Sequence, residues 1–270
     1  MTANFVHLRV HSEFSILDSV VRLPGLIKAT TAGEMPAVAL TDSSNMFGLV
    51  KFYRECLNHG VKPIAGCDLM LRLPDEGGVG YPLPLLCCNN EGYKNLTRLI
   101  TRAYLEGRND DGVGIELDWL TPESTRGLIA LSGGQLGALG RLISTNKKEQ
   151  TNQLLQKLKG LFESNFYIEI QRIGRPNENE YVHAAVALAA EAGLPLVASN
   201  EVRFLTPDDF DAHEARTCIY QSMALDDNRR DKVYTRDQYF RSSDEMVELF
   251  RDLPEALENT VEIAKRCSLT

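Results

Sequence analysis

Short apolar runs alternate with amphipathic segments along most of the chain. Residues 6–10, 37–41, 62–71, 83–88, 128–132, 166–170 and 196–199 are rich in Val, Ile, Leu and Phe and have strand length. Apolar residues at helical spacing mark 23–32, 49–58, 93–105, 150–162 and 178–192. Gly33, Gly60 and Gly193 each follow a helical run, and Pro36, Pro63 and Pro195 come soon after. Each pair stops a helix and opens the next strand. This alternation predicts an α/β fold of parallel strands joined by crossover helices. Seven such units favour a barrel over an open sheet. Past Arg203 the pattern turns helical, over 208–221, 243–251 and 254–267, with Ser242 or Ser243 placed to cap the second. Residues 73–80, LPDEGGVG, read as a loop or hairpin tip, and 106–114, EGRNDDGVG, as a second loop. No repeat, low-complexity tract or linker intervenes, so 1–270 reads as a single domain. The last helix has no stop signal, and a longer parent chain, of which this is the N-terminal piece, is expected.

Composition narrows the picture. The net charge is −8 and the pI about 5.3, which argues against a domain that grips a phosphate backbone by itself. No run of about 18 apolar residues occurs, so no membrane span is expected. Little chain precedes Phe5, so a leader is not expected and a cytoplasmic location is. The six cysteines form no C-x-x-C pair and read as buried thiols, with Cys87 and Cys88 pointing to opposite faces of a strand.

In a parallel barrel the chemistry sits at the carboxyl ends of the strands and in the loops that follow. Those places hold His11, Ser12 and Asp18, then Asp42 and Ser43, then Asp68, then Gly133 and Gly134, and finally Glu201 and Arg203. Singly, each has a plain structural role: a hydrogen-bonded histidine, a capping aspartate, a solvated acid. His59, His183 and His213 show no metal-ligand spacing, and no P-loop, G-x-S-x-G, H-E-x-x-H or zinc-ribbon pattern occurs.

Several blocks in one order go further: FVHLRVHSEFSILDS, ALTDSSNMFGLVKFY, VKPIAGCDL, NNEGYKNLTRLI, GLIALSGG and GLPLVASNEVRFL. Together they resemble the PHP (polymerase and histidinol phosphatase) domain family, in the form carried by the alpha subunit of bacterial DNA polymerase III. DFDAHEARTCI and PEALENTVEIAKRC fit that form too. The resemblance implies a distorted, TIM-like seven-stranded (β/α) barrel with extra C-terminal helices. It also implies a cleft that, in active members, binds three metal ions and hydrolyses phosphoesters or proofreads DNA.

The sequence departs from the family at the ligands. Arg9 stands in place of the first histidine, with His11 and Asp18 kept. Ser43 and Pro82 replace histidines, Gly134 replaces a cysteine or histidine, Asp68 replaces a glutamate, and Glu201 with Arg203 replaces D-x-H. Arg9, Ser43, Pro82, Gly134 and Arg203 cannot serve as ligands, so no metal or other cofactor and no catalytic residue is expected. Arginine stays protonated, so Arg9 and Arg203 are expected to pair with Asp18, Asp68 and Glu201 in place of cations. The resemblance then implies a catalytically silent domain. It would support the rest of the polymerase III alpha chain, dock the proofreading exonuclease (epsilon) subunit, and meet DNA only through the parent polymerase. The rival expectation is that the surviving acids and His11 hold one weakly bound Mg²⁺ or Mn²⁺ and hydrolyse pyrophosphate.

Overall fold

A computed structural model describes residues 4–74, 76–110, 112–227, 229 and 232–270. Asp75 and Asp111, inside the two predicted loops, lie outside the described residues. The strands are β1 (Ala37–Leu40), β2 (Lys62–Arg72), β3 (Gly80–Cys87), β4 (Arg108–Asn109), β5 (Gly112–Val113), β6 (Ile115–Glu116), β7 (Leu128–Leu131), β8 (Phe166–Gln171) and β9 (Leu196–Ser199). The main sheet runs β1-β2-β3-β7-β8-β9, with β6 against the far end of β2. β4 and β5 form a separate pair. β1 and β7 are apolar throughout, β9 is apolar except for Ser199, and all three are buried at every position. Such strands are covered on both faces, here by helices outside and the curled sheet's own interior inside.

Two expectations need correction. Not all strands are parallel: β3 runs antiparallel to both β2 and β7. The connection between Arg72 and Gly80 is too short for a crossover helix, which takes about a dozen residues, so the chain must turn back on itself. The second correction concerns residues 6–10. They form no regular strand; Val10 alone bridges Val202.

Residues 5–11 nevertheless bridge the gap between β1 and the segment after β9. Ala39 N–H donates to His7 C=O and Thr41 N–H to Val10 C=O, both at 2.9 Å. On the other side Val202 N–H donates to Arg9 C=O and His11 N–H to Val202 C=O, both at 3.0 Å. Two steps along the β1 side match three along residues 7–10, so this segment carries one extra residue, as a bulge does. The Thr41 hydroxyl fills the irregular place, accepting from Val10 N–H at 3.0 Å.

That extra residue undoes the simple alternation. Val6 and Leu8 enter a small core with Ala37, Ala39, Ile64, Leu86, Ile129, Tyr167 and Val197. Arg9 and His11 line the cleft. His7 belongs to neither: its ring stacks on Phe240, with centroids 4.3 Å apart, and its Nε2 meets the Arg241 carbonyl at 2.8 Å. Burial pulls its pKa down to about 4.

The helices run over Leu23–Ala32, Leu49–Asn58, Asn90–Glu106, Pro122–Thr125, Ala138–Ser144, Lys148–Phe162, Glu178–Ala192, Phe210–Gln221, Ser243–Leu249 and Pro254–Arg266. Asn89 starts the third by accepting from Glu91 and Gly92 N–H, both at 3.0 Å. Ser242 and Glu245 form a capping box at Ser243–Leu249. The last helix seals the small core with Ile263, Ala264 and Cys267, and the Thr260 hydroxyl accepts from Val6 N–H at 3.0 Å. Among the described residues no helix is long and apolar enough to cross a membrane.

Candidate functional site

Side chains alternate along a strand, so every second residue of β2, β8 and β9 faces the sheet's interior. Below lie Ile64, Tyr167 and Val197; above them in the same files come Asp68 at β2, then Glu169 and Gln171 on β8, then Ser199 on β9 and Glu201 beyond it. The polar end opens into a cleft of about 480 Å³. Arg9, His11, Asp18, Ser43, Asp68, Pro82, Arg175, Glu201 and Arg203 line it.

Arg9 is the largest of the fully buried side chains. Its Nε and Nη2 both donate to Asp68 Oδ2, at 3.0 and 2.7 Å. Nη1 reaches Glu169 Oε2 at 3.4 Å, and Nη2 stands 3.8 Å from Glu201 Oε1. Arg203 forks the other way: Nη1 donates to Asp18 Oδ2 at 2.5 Å and Nη2 to Glu201 Oε1 at 2.6 Å. Its Nη1 also touches His11 Nδ1. His11 meets Asp18 Oδ1 through Nδ1 and Asp68 Oδ2 through Nε2, both at 3.2 Å. Arg9, Arg203 and the acids Asp18, Asp68 and Glu201 are thus within one network.

Two members of that network were not singled out from the sequence. Glu169, fully buried, takes the Ser199 hydroxyl and, at 3.4 Å, the Gln171 amide on Oε1. Arg175 Nη2 lies 2.8 Å from Glu201 Oε2, and its Nη1 donates to Gln171 Oε1 at 3.1 Å. Glu169 had a signal: a lone acid inside the apolar run FYIEI, in phase with the interior-facing Tyr167. Arg175 had none beyond its place shortly after a strand end.

Backbone geometry holds the pieces in place. Glu201 has φ +47°, a left-handed conformation that costs a non-glycine residue about 1 kcal/mol or more. It persists because the neighbouring loop grips the segment. Asn200 donates to the carbonyls of Asp237 and Tyr239 at 3.0 and 2.6 Å, Arg203 N–H donates to the Gln238 carbonyl at 2.9 Å, and Gln238 donates to the Glu201 carbonyl at 3.3 Å. His213 Nε2 meets the Asp18 carbonyl at 3.0 Å. Asp42 sits outside the network, satisfied by Ser12 N–H at 2.6 Å and the Ser15 hydroxyl at 2.7 Å. Gly134 has φ +64°, and a Cβ there would lie 2.6 Å from Gln171 Oε1.

Burial disfavours every charge here, so the sign of each shift reports the neighbours. Burial pushes Asp68 up, but Arg9 and His11 hold it below the usual carboxylate range. Burial is likewise outweighed at Asp18 by Arg203 and His11, and at Glu201 by Arg175, Arg9 and Arg203. Glu169 goes the other way: burial raises it and Arg9 only partly compensates. Three guanidinium groups therefore face three carboxylates held ionised, with Glu169 the acid that most readily takes a proton. Burial and Arg203 oppose a charge on His11, yet Asp18 and Asp68 carry its pKa upward.

These residues do not fit a divalent ion. Asp18 and Glu201 are engaged by arginines, and Asp68 Oδ2 receives two guanidinium bonds and faces His11. Of their oxygens, Asp68 Oδ1 and Glu201 Oε2 are buried without a hydrogen bond, and Glu201 Oε2 is already ion-paired with Arg175 at 2.8 Å, whereas hard cations take about six oxygen ligands. Among the described residues no group of three or more His, Cys, Asp and Glu side chains could hold a metal ion.

The PHP domain model matches residues 7–173. The chain belongs to the PHP domain family. It is 49% identical over 269 residues to the DNA polymerase III subunit alpha of Pseudomonas aeruginosa and 46% identical over 266 residues to that of Escherichia coli K12. These alignments cover 100% and 98% of this chain but only 23% of each relative. A proposed metal-dependent phosphoesterase from Bifidobacterium adolescentis superposes with TM-score 0.52 at 10% identity, over 73% of this chain and 86% of that one. An amidohydrolase from Chromobacterium violaceum gives 0.50 at 13% identity, over 78% and 96%. Both share the PHP domain's curled α/β fold.

Proposed function

We propose that this chain is a catalytically silent PHP domain of a replicative DNA polymerase III alpha chain, working in the cytoplasm. Its role is to support the polymerase part of that chain and to dock the proofreading exonuclease subunit. One observation carries the silence: the carboxylates of the cleft are neutralised by built-in guanidinium groups. An arginine fork supplies fixed charge and directed donors, but it has no vacant coordination position for a water or a phosphate oxygen. In this reading Arg9 and Arg203 stand where cations would be, and Asp18, Asp68 and Glu201 are retained because their partners now need them. DNA is met only through the parent chain, in keeping with a net charge of −8.

Elemental analysis of the purified protein tests the silence. Zinc, manganese and iron should all be far below one per chain, and pyrophosphate hydrolysis should be absent. Tightly held stoichiometric metal, or a pyrophosphatase activity lost in Asp68→Asn, would overturn it. Calorimetric titration with the purified exonuclease subunit tests the docking role. A saturable complex is expected, and its absence with both the isolated chain and the full alpha chain would remove that role.

A further inference from the structure

At the end of the sheet remote from the cleft, two thiols meet. Pro82 lies near the start of β3 and lines the cleft. Cys87, at the other end, pairs with Leu128, the first residue of β7. Half-buried Cys88 follows and packs against the small core that contains the buried Cys267. Cys267 ends the last helix. The next residue ties back: Ser268 N–H donates to the Cys88 carbonyl at 2.8 Å. Tyr53 holds the Leu269 carbonyl at 2.7 Å, and Thr270 N–H reaches Asn90 Oδ1 at 3.2 Å. The backbone around both cysteines is therefore fixed, with Cys88 packed on the core that holds Cys267 and the Cys88 carbonyl bonded to the residue after Cys267.

The two sulfurs are not equivalent. The Cys267 hydrogen bond, followed by the Arg266 charge, draws Cys88 below the ordinary thiol range against the effect of burial. The same bond and burial drive Cys267 well above it. Cys56 and Cys87 are pushed up to about 12 by burial. Only a thiolate attacks an oxidant, and Cys88 is also the one partly open to solvent.

We propose that Cys88 and Cys267 are a peroxide-responsive pair that closes into a disulfide, pinning the end of the last helix to β3. The Cys88 thiolate attacks one oxygen of hydrogen peroxide and breaks the O–O bond. The released hydroxide takes a proton and leaves as water, and Cys88 becomes a sulfenic acid. The Cys267 sulfur then attacks the Cys88 sulfur, the S–O bond breaks, and its oxygen departs as a second water with the Cys267 proton. Two thiols lose two electrons and two protons, and one peroxide becomes two waters.

The test uses the protein in a Cys87→Ser background, so that a single cysteine marks the β3 peptide. Hydrogen peroxide treatment is followed by alkylation in denaturant and peptide mass mapping. The expected result is the loss of two of the five remaining thiols and a reductant-sensitive peptide joining Cys88 to Cys267. Adding Cys267→Ser should stop the reaction at a Cys88 sulfenic acid that dimedone captures. Five alkylatable thiols after treatment, or Cys88 joined to another cysteine in the same or a second chain, would overturn the proposal.

Discussion

Replacing Arg9 by methionine is the most direct trial of the charge network. Arg9→Met removes the cation while keeping much of the side-chain volume, so the cavity contribution is small. Asp68 loses both guanidinium bonds, at 3.0 and 2.7 Å, and Glu169 and Glu201 lose a neighbouring charge. Stripping one partner from a buried pair costs about 3–5 kcal/mol. At about 2.1 cal/mol/K per residue, 270 residues unfold with an entropy of about 0.57 kcal/mol/K, so Tm should fall by roughly 5–9 °C. Urea and thermal unfolding at pH 7 measure this. Arg9→Met with Asp68→Asn removes both charges and should regain most of the loss. The deficit of the single variant should also shrink below about pH 4, where the stranded acids take protons. A loss under about 1 kcal/mol, the scale of an exposed ion pair, would refute the reasoning. So would a double variant no more stable than the single one.

Asp18, Asp68 and Glu201 have folded pKa values below their ordinary 3.8 and 4.5. Their contribution is therefore complete above pH 4.5 and lost as the pH falls, so Tm should drop steeply on acidification, and less so in Asp18→Asn. His11 is shifted up from 6.5; its contribution is complete below that value and lost as pH rises through the folded pKa. His11→Gln should accordingly flatten Tm against pH above 6.5. Gly134→Cys should destabilise by about 1–3 kcal/mol, from a strained left-handed residue pressed on Gln171. It follows that restoring a metal site with Arg9→His, Ser43→His, Asp68→Glu, Pro82→His, Gly134→Cys, Glu201→Asp and Arg203→His needs Gln171→Ala as well. Metal affinity by calorimetry should appear only in that eight-fold variant.

Much of the fold was legible because apolar run length and glycine–proline punctuation are local signals. Six of the seven strand candidates are regular strands, and their flanking helices lie where helical spacing put them. The short helix Ala138–Ser144 escaped notice because its approach, GGQLG, is glycine-rich and reads as loop. The antiparallel course of β3 depends on the length of a connection, which was visible, and on which strands pair, which was not. In the cleft, the blocks named Arg9, His11, Asp18, Asp68, Glu201 and Arg203, but chain position alone could not say that Arg175 comes to Glu201. That contact requires β8 to lie beside β9, a fact of three-dimensional neighbourhood. His7 shows the limit of local pattern most sharply: strict alternation would give it the same face as Arg9, and one inserted residue reverses that.

The same inserted residue separates two environments that a straight strand would have forced together. Below it the backbone presents methyl groups to a dry plug; above it, a cation to a wall of acids. A regular strand through these same residues would put Arg9 on the face of His7, toward the aromatic stack at Phe240. Straightening the segment should therefore do more harm than any single exchange of side chain in the cleft, because it relocates a charge instead of removing it.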